Sequence, residues 1–231
     1  MLRSGDNAKY IEMTLIIIIF CYQCRVVDLF NGEHMSAEYK AINPTSTVPA
    51  LVDGDVSVFD SSAIGIYLVE KYAKDDSLYP KELTLRTKVN ERLFYISSFM
   101  FPRIYQIFVP GYAGNETEIP KEKIEGIHRG YQTIEIFLSG NDYLSGKVLT
   151  LADLSLWTIM ESLVQVIPID AEKFPNFDKW LTKMREHPSY ALNKEGADEH
   201  IGFYKSCIEK ALKAKGNLEN QKLIDGPEYA T

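Results

Sequence analysis

The chain has 231 residues, 45% of them hydrophobic, enough for one large or two small domains with buried cores. Its 25 Lys and Arg against 32 Asp and Glu leave a formal charge of −7, which argues against a nucleic-acid or anionic-membrane surface as the main partner and favours a small molecule or a protein. Three cysteines, few and odd in number, make no disulfide framework and fit a reducing cytoplasm, where the glycosylation-type triplet Asn115-Glu116-Thr117 would stay idle.

Residues 15–20, LIIIIF, are intensely apolar. Even with Cys21 and Tyr22 the run reaches only 8 residues, against the roughly 20 that a membrane-spanning helix needs. Asp6, Lys9 and Glu12 precede it and no small-residue cleavage pattern follows, so it does not read as a signal peptide either. The expected structure is a buried helix end passing into a strand. Cys21 and Cys24 have the C-x-x-C spacing of redox motifs, but such a motif needs a helix N-terminus after it to lower the thiol pKa. Here a β-branched run, RVVDL, follows instead. On a strand, residues three apart point to opposite faces, which would separate the sulfurs and make both cysteines structural. Residues 25–29 read as a strand, and Phe30-Asn31-Gly32-Glu33-His34 as a loop in which His34 reads as a solvated side chain.

Residues 43–72, NPTSTVPALVDGDVSVFDSSAIGIYLVEKY, hold the clearest pattern. Leu51-Val52 and the run at 56–59 are β-favouring stretches separated by Asp53-Gly54-Asp55, and an Asp-Gly step between such runs predicts a tight antiparallel hairpin. Pro49 cannot donate to a ladder and suits an edge or a cis turn, which leaves the Val48 backbone for an extended peptide ligand. Asp60-Ser61-Ser62 supply acceptors for the orphan N–H groups of a helix starting near Ser61, with Ala63, Ile64, Tyr67, Leu68 and Tyr72 at helical spacing. The N-terminus of that helix can hold a carboxylate on backbone amides and a Ser hydroxyl, while Asp60 takes an ammonium beside it, so the pocket suits an amino-acid headgroup. The plain alternative is that Asp60 and Ser61 are only caps.

Beyond Lys74, the stretch 75–80 breaks the helix, and from Lys81 onward the pattern is helical throughout. Residues 82–108 carry Leu85, Val89, Leu93, Ile96 and Met100 at three- and four-residue spacing, aromatic residues crowd the second half, and Pro102 predicts a kink. Residues 109–114 read as a loop. Ile119-Pro120 opens a helix running to about Ser139, ended by Gly140-Asn141-Asp142. Thr150 and Asp153 have the spacing of a reciprocal cap, with Leu151, Leu154 and Trp157 buried behind it. A further amphipathic helix starts near Phe174-Pro175 and stops near His187-Pro188, and a last one covers 201–215 before a polar tail. His128, His187 and His200 lack the spacing of metal ligands, so no metal is expected.

Taken as an ordered whole, NP-x-x-TVPAL, the hairpin and D-S-S-A-I-x-x-YL-x-x-KY resemble the glutathione-binding half of cytosolic glutathione transferases, closest to the insect delta and epsilon classes. Tyr143-Leu144-Ser145-Gly146 and the T-x-A-D box at 150–153 resemble that family's second domain. The resemblance covers roughly residues 5–210. It implies an α/β thioredoxin-like N-terminal domain over 1–76, a linker over 77–86 and an all-α helical domain over 87–231, in a cytoplasmic homodimer without a metal. It also implies a function, transfer of the glutathione thiolate to small hydrophobic electrophiles in a detoxification-type reaction. Residues carried over are Asp60 and Ser61 at the γ-glutamyl end, Val48 with Pro49 at the cysteinyl backbone, and His34 with Ser46 at the glycyl end. Phe101, Tyr105, Phe108 and Tyr112 line the electrophile site; an ordinary helical core would show the same aromatic stripe.

The start of the chain departs from the resemblance. The position of the family's catalytic serine falls on Gly5, next to Ser4, and its two prolines are Asp6 and Asn7. The preceding strand is shortened to Met1-Leu2-Arg3, so either the N-terminal segment is atypical or the gene model is incomplete. Ser4 or a backbone amide would hydrogen-bond the sulfur and lower its pKa from about 8.5. Ser46 stands where related classes often carry His, and Ser62 where a basic residue is common, which weakens charge contacts to glutathione. The alternative function is a non-catalytic protein of this fold that holds a hydrophobic ligand such as a steroid.

Overall fold

A computed structural model describes the chain at residues 23–29 and 31–214. The expectations for the apolar run at 15–20, for Ser4 and Gly5, for the C-x-x-C geometry and for the polar tail lie outside those residues. In order, the described elements are a 3₁₀ turn at Glu33–Met35, α1 (Ala37–Ile42), β1 (Ala50–Asp53), β2 (Val56–Phe59), α2 (Ser61–Tyr72), α3 (Leu83–Tyr95), a π-helical turn at Ile96–Met100, α4 (Phe101–Tyr112), α5 (Lys121–Leu138), α6 (Leu151–Leu163), α7 (Pro175–Arg185) and α8 (Tyr190–Ala214). No described helix is long and apolar enough to cross a membrane.

β1 and β2 pair antiparallel with Asp53 opposite Val56, so Asp53 belongs to the strand and the turn is Gly54-Asp55. Gly54 takes the positive φ of 60° that the first position of such a turn requires. Asp53 stays in the ladder because its carboxylate ties the hairpin to α2: it accepts from the Tyr67 hydroxyl at 2.8 Å, from Lys71 Nζ at 2.7 Å and from the Tyr72 hydroxyl. With the Lys71 ammonium as the leading cause, these donors hold the Asp53 carboxyl at about 2, below the ordinary carboxylate value.

The strand expected at 25–29 is not formed among the described residues. Several of its side-chain bonds are local. The Glu33 carboxylate accepts the Asp28 N–H and the Arg25 guanidinium, each at 2.7 Å, and the Asp28 carboxylate accepts from Asn31 at 3.0 Å (backbone) and 2.7 Å (side chain). Such side-chain bonds compete with a sheet ladder.

α6 is buried on every side, as befits the central helix of a bundle, and α2, α3 and α8 pack around it. The expected cap at its start is present and does more than end the helix. The buried Asp153 carboxylate accepts the Thr150 N–H (3.0 Å), the Thr150 hydroxyl (2.9 Å), the Leu144 N–H (2.8 Å) and Trp180 Nε1 (3.0 Å), joining the preceding loop and α7 to α6. Across the two parts of the chain, the Leu151 N–H bonds the Leu78 carbonyl at 2.9 Å.

The kink expected at Pro102 is the π-helical turn just before it, where the Phe101 N–H reaches back to the Ile96 carbonyl. The loop expected at 109–114 is instead helical as far as Tyr112. Pro110 removes the N–H that would bond the Gln106 carbonyl, and Lys123 Nζ takes that carbonyl at 2.8 Å, so the helix continues through the proline. The last helix begins at Tyr190 rather than near residue 201. Asn193, Gly196 and Gly202 lower its local propensity, but buried Asn193, Ala197, Ile201, Tyr204 and Ile208 form a continuous face that packs on α6 and α4.

Candidate functional site

The N-terminus of α2 is set by Asp60, whose Oδ1 accepts the Ser62 N–H at 2.9 Å and the Ala63 N–H at 3.2 Å. Asp60 holds φ 70° and ψ 122°. For a non-glycine residue this backbone costs about 1–3 kcal/mol and is the kind of strain found at ligand clamps. The Ser61 N–H and hydroxyl, one step along the first turn, bond to no described residue. They are the donors a carboxylate would use there.

Before the hairpin, buried Asn43 holds the 43–47 loop in place. Its amide donates to the Thr47 carbonyl at 2.7 Å and its oxygen accepts the Thr45 N–H at 3.0 Å, while the Tyr39 hydroxyl donates to the same Thr47 carbonyl at 2.7 Å. Ser46 is carried at φ 57° and the Val48-Pro49 peptide is cis. Neither backbone polar group of Val48 bonds to another described residue, which leaves a short edge for an extended chain. His34 sits on the 3₁₀ turn positioned by the Glu33 and Asp28 bonds, and its buried Nδ1 has no hydrogen-bond partner among the described residues.

These elements line part of a cavity of about 630 Å³. His34, Ser46, Val48, Pro49, Asp60 and Ser61 all border it, and so do Phe101, Tyr105, Phe108 and Tyr112. Phe108 is buried at the apolar end, whereas Phe101 and Tyr105 are 38% and 56% exposed and form its rim. The structure therefore brings together every sequence-derived site residue within the described chain. Ser4 lies outside it.

Sequence reasoning misses several wall residues, among them Ile104, Ser155, Ile159 and His200. Ser155 and Ile159 stand one helical turn apart on α6, behind a cap that reads only as a folding signal. His200 enters the sequence reading only as a metal ligand to be excluded. It lies 4.6 Å from the Phe108 ring, its Nε2 bonds the Tyr112 hydroxyl, and burial lowers its pKa to about 4, so the imidazole is neutral at pH 7. The missing signal is the phase of α8, which follows from its start at Tyr190. Chemically, the cavity offers an ammonium acceptor, carboxylate donors and a free peptide edge beside an aromatic wall.

Comparison with known proteins gives this arrangement its class. Residues 20–71 match the family "Glutathione S-transferase, N-terminal domain" and residues 89–188 match "Glutathione S-transferase, C-terminal domain". The chain belongs to the glutathione S-transferase family, and its architecture is a thioredoxin-like domain followed by an all-helical one. Within the family it resembles the insect delta and epsilon classes. It is 34% identical over 183 residues to glutathione S-transferase D6 of Drosophila melanogaster, covering 78% of this chain and 82% of that one. An epsilon-class glutathione S-transferase from the housefly, Musca domestica, superposes with a TM-score of 0.84 at 37% identity, covering 88% and 94% of the two chains. A glutathione transferase homologue from Drosophila mojavensis, solved with bound glutathione, superposes with a TM-score of 0.81 at 38% identity, covering 87% of this chain and 93% of that one.

Proposed function

We propose that the protein is a glutathione transferase: it binds glutathione on the polar side of the cavity and joins the thiolate to a small hydrophobic electrophile held on the aromatic side. The observation that carries this reading is the continuity of the two sides in one cavity. In it, the γ-glutamyl ammonium pairs with Asp60 and its carboxylate takes the Ser61 N–H and hydroxyl at the α2 N-terminus. The cysteinyl backbone pairs with Val48 beside Pro49, and the glycyl carboxylate reaches His34 and Ser46. Ser4 is the proposed donor to the sulfur, which stabilises the thiolate and raises the fraction of nucleophile at neutral pH. Phe101, Tyr105, Phe108 and Tyr112 hold the electrophile against the sulfur, so that much of the rate gain comes from orientation.

The domain division at 1–76, 77–86 and 87–231 belongs to the same reading, with α3 beginning at Leu83 inside the linker span. So does a cytoplasmic homodimer. Exposed Leu83 and Phe94 on α3, with Val52 and Val56 on the hairpin, are apolar surface that a second copy would cover.

Passage over immobilised glutathione, followed by assay of conjugation to a nitroaryl halide with wild type and Ser4→Ala, tests the function. Retention with turnover that drops in the variant is the expected result. Failure to be retained would contradict glutathione binding, and retention without turnover would contradict catalysis.

A further inference from the structure

Among the described residues, two steps place a glycine directly after an Asn or Asp, at Asn31-Gly32 and Asp53-Gly54. At such a step the backbone nitrogen can close on the preceding side-chain carbonyl, because glycine brings no Cβ to hinder the approach. Both glycines hold positive φ, and nothing lies within 4 Å of the point where a Cβ would stand. The attacking side is therefore equally open at the two steps, and the difference lies in the group attacked. Asp53 is an ionised carboxylate, held at about 2 by the Lys71 ammonium first and then by the Tyr72 and Tyr67 hydroxyls, and a carboxylate ion is a poor electrophile. Asn31 carries a neutral amide on an exposed residue. Its Nδ2 donates to Asp28 Oδ2 at 2.7 Å, a bond to the nitrogen that would leave rather than to the carbon that would be attacked. The Gly32 N–H meets the Leu29 carbonyl at 3.3 Å, a long and weak hold. Every other Asn in the chain precedes a residue with a Cβ.

The turn around Asn31 depends on that amide. The Asp28 carboxylate accepts the Asn31 N–H at 3.0 Å and its Nδ2 at 2.7 Å, and the Glu33 carboxylate accepts the Asp28 N–H and the Arg25 guanidinium. Arg25 also lies 3.6 Å from Glu38, so three carboxylates already gather near one guanidinium. Conversion of the amide to an acid would replace a donor to Asp28 with a like charge and add a fourth anion. An isoaspartate would lengthen the backbone as well. His34 follows on the 3₁₀ turn and borders the cavity.

We propose that Asn31 is a site of spontaneous deamidation, and that its conversion to aspartate or isoaspartate loosens the turn carrying His34 and weakens binding at the polar end of the cavity. The deprotonated Gly32 nitrogen bonds Asn31 Cγ, the Cγ–Nδ2 bond breaks, and the nitrogen leaves as ammonia after taking a proton from water. A cyclic imide results. Water then adds to one of its two carbonyls and opens the ring, to aspartate by one cleavage and isoaspartate by the other. One water is consumed, one ammonia is released, and nothing is oxidised or reduced. The conversion is independent of the transferase reading, whereas its effect on glutathione rests on it.

Two measurements on the full chain test this. The first is incubation at physiological temperature in mildly acidic and mildly alkaline buffers, followed by peptide mass mapping and isoaspartyl methyl-transfer labelling. Cleavage after Arg25 and Lys40 releases residues 26–40, in which Asn31 is the single Asn. That peptide should gain the mass of an amide-to-acid change several-fold faster than those holding Asn115 or Asn141, and faster still in alkali, where the attacking nitrogen loses its proton more readily. Asn31→Gln, in which closure needs a larger ring, should not convert. A rate at Asn31 no greater than at Asn115 or Asn141, or no acceleration in alkali, would overturn the site.

The second measurement is calorimetric affinity for glutathione, with the urea midpoint beside it, in fresh and incubated wild type, Asn31→Asp and Asn31→Gln. Asn31→Asp should bind about 3- to 10-fold more weakly than wild type, the size of one lost hydrogen bond, and the loss should shrink in high salt, which screens the added charge. Incubated wild type should drift the same way, while Asn31→Gln keeps the affinity it had when fresh. Conversion with unchanged affinity would overturn the effect on binding. Conversion in a chain that binds no glutathione even when fresh would uphold the site and overturn the transferase reading. The loosened turn is then judged by the urea midpoint of Asn31→Asp, which should fall, and an unchanged midpoint would overturn it.

Discussion

Asp60 does two jobs that a pair of substitutions can separate. Its carboxylate caps α2, and in the proposed site its charge meets the ligand ammonium. Asn caps a helix nearly as well as Asp and tolerates positive φ, so Asp60→Asn should keep the melting temperature but lose glutathione affinity. Asp60→Ala should lose both, with a stability cost of about 1 kcal/mol from the cap. If neither substitution weakened glutathione binding while the melting temperature fell in both, Asp60 would be only a cap. At the same scale, burial depresses His200 from its ordinary 6.5 to about 4. Between those values the unfolded chain binds a proton that the folded chain does not. The stability gained from a neutral His200 is therefore full above pH 6.5 and is lost as pH falls toward 4, by at most about 3 kcal/mol. The urea midpoint should drop further between about pH 7.5 and 4.5 in wild type than in His200→Gln, and equal drops would contradict the shift.

Among the elements, α4 shows best where sequence reading succeeds and where it stops. The Asp-Gly hairpin, the α2 cap and the Thr150-Asp153 box were legible because each is fixed by residues within a few positions of one another. The Pro110-Gly111 step reads as a loop by the same local rules, yet it lies inside α4, because its partners are distant in sequence. Lys123 satisfies the carbonyl that Pro110 leaves open, and Gly111 is there because a Cβ would enter the Tyr204 ring. In an ordinary helix Gly→Ala gains up to about 1 kcal/mol. Here Gly111→Ala should instead destabilise by about 1–3 kcal/mol through overpacking, and Tyr204→Leu in the same chain should recover part of it. Denaturant titration of the single and double variants measures this, and a stabilised Gly111→Ala would show that the Tyr204 contact does not constrain the helix. The strand expected at 25–29 is not formed among the described residues: β-branched residues favour a strand, but only a pairing partner makes one, and the bonds at Asp28 and Leu29 are those of a turn.

For the molecule as a whole, the polar half of the candidate site was readable from one contiguous stretch, 43–72, with His34 just before it. The aromatic half was readable only as a stripe on one helix, since Ser155, Ile159 and His200 reach the wall from α6 and α8 through the packing of the bundle. What unites the halves is the contact of α2 with α6, which sets the thioredoxin-like part against the helical part. The proposed function therefore turns on one cavity serving both a γ-glutamyl peptide and an apolar group joined to its sulfur. Calorimetric titration with glutathione and with its S-methyl, S-butyl and S-hexyl derivatives tests that directly. A continuous cavity predicts affinity that climbs with the alkyl chain, by up to about 0.8 kcal/mol for each CH₂ buried, and a slope that flattens in Phe108→Ala. Equal affinities across the series in wild type would mean that the glutathione sulfur does not face the aromatic wall, and would contradict a cavity shared by the two substrates.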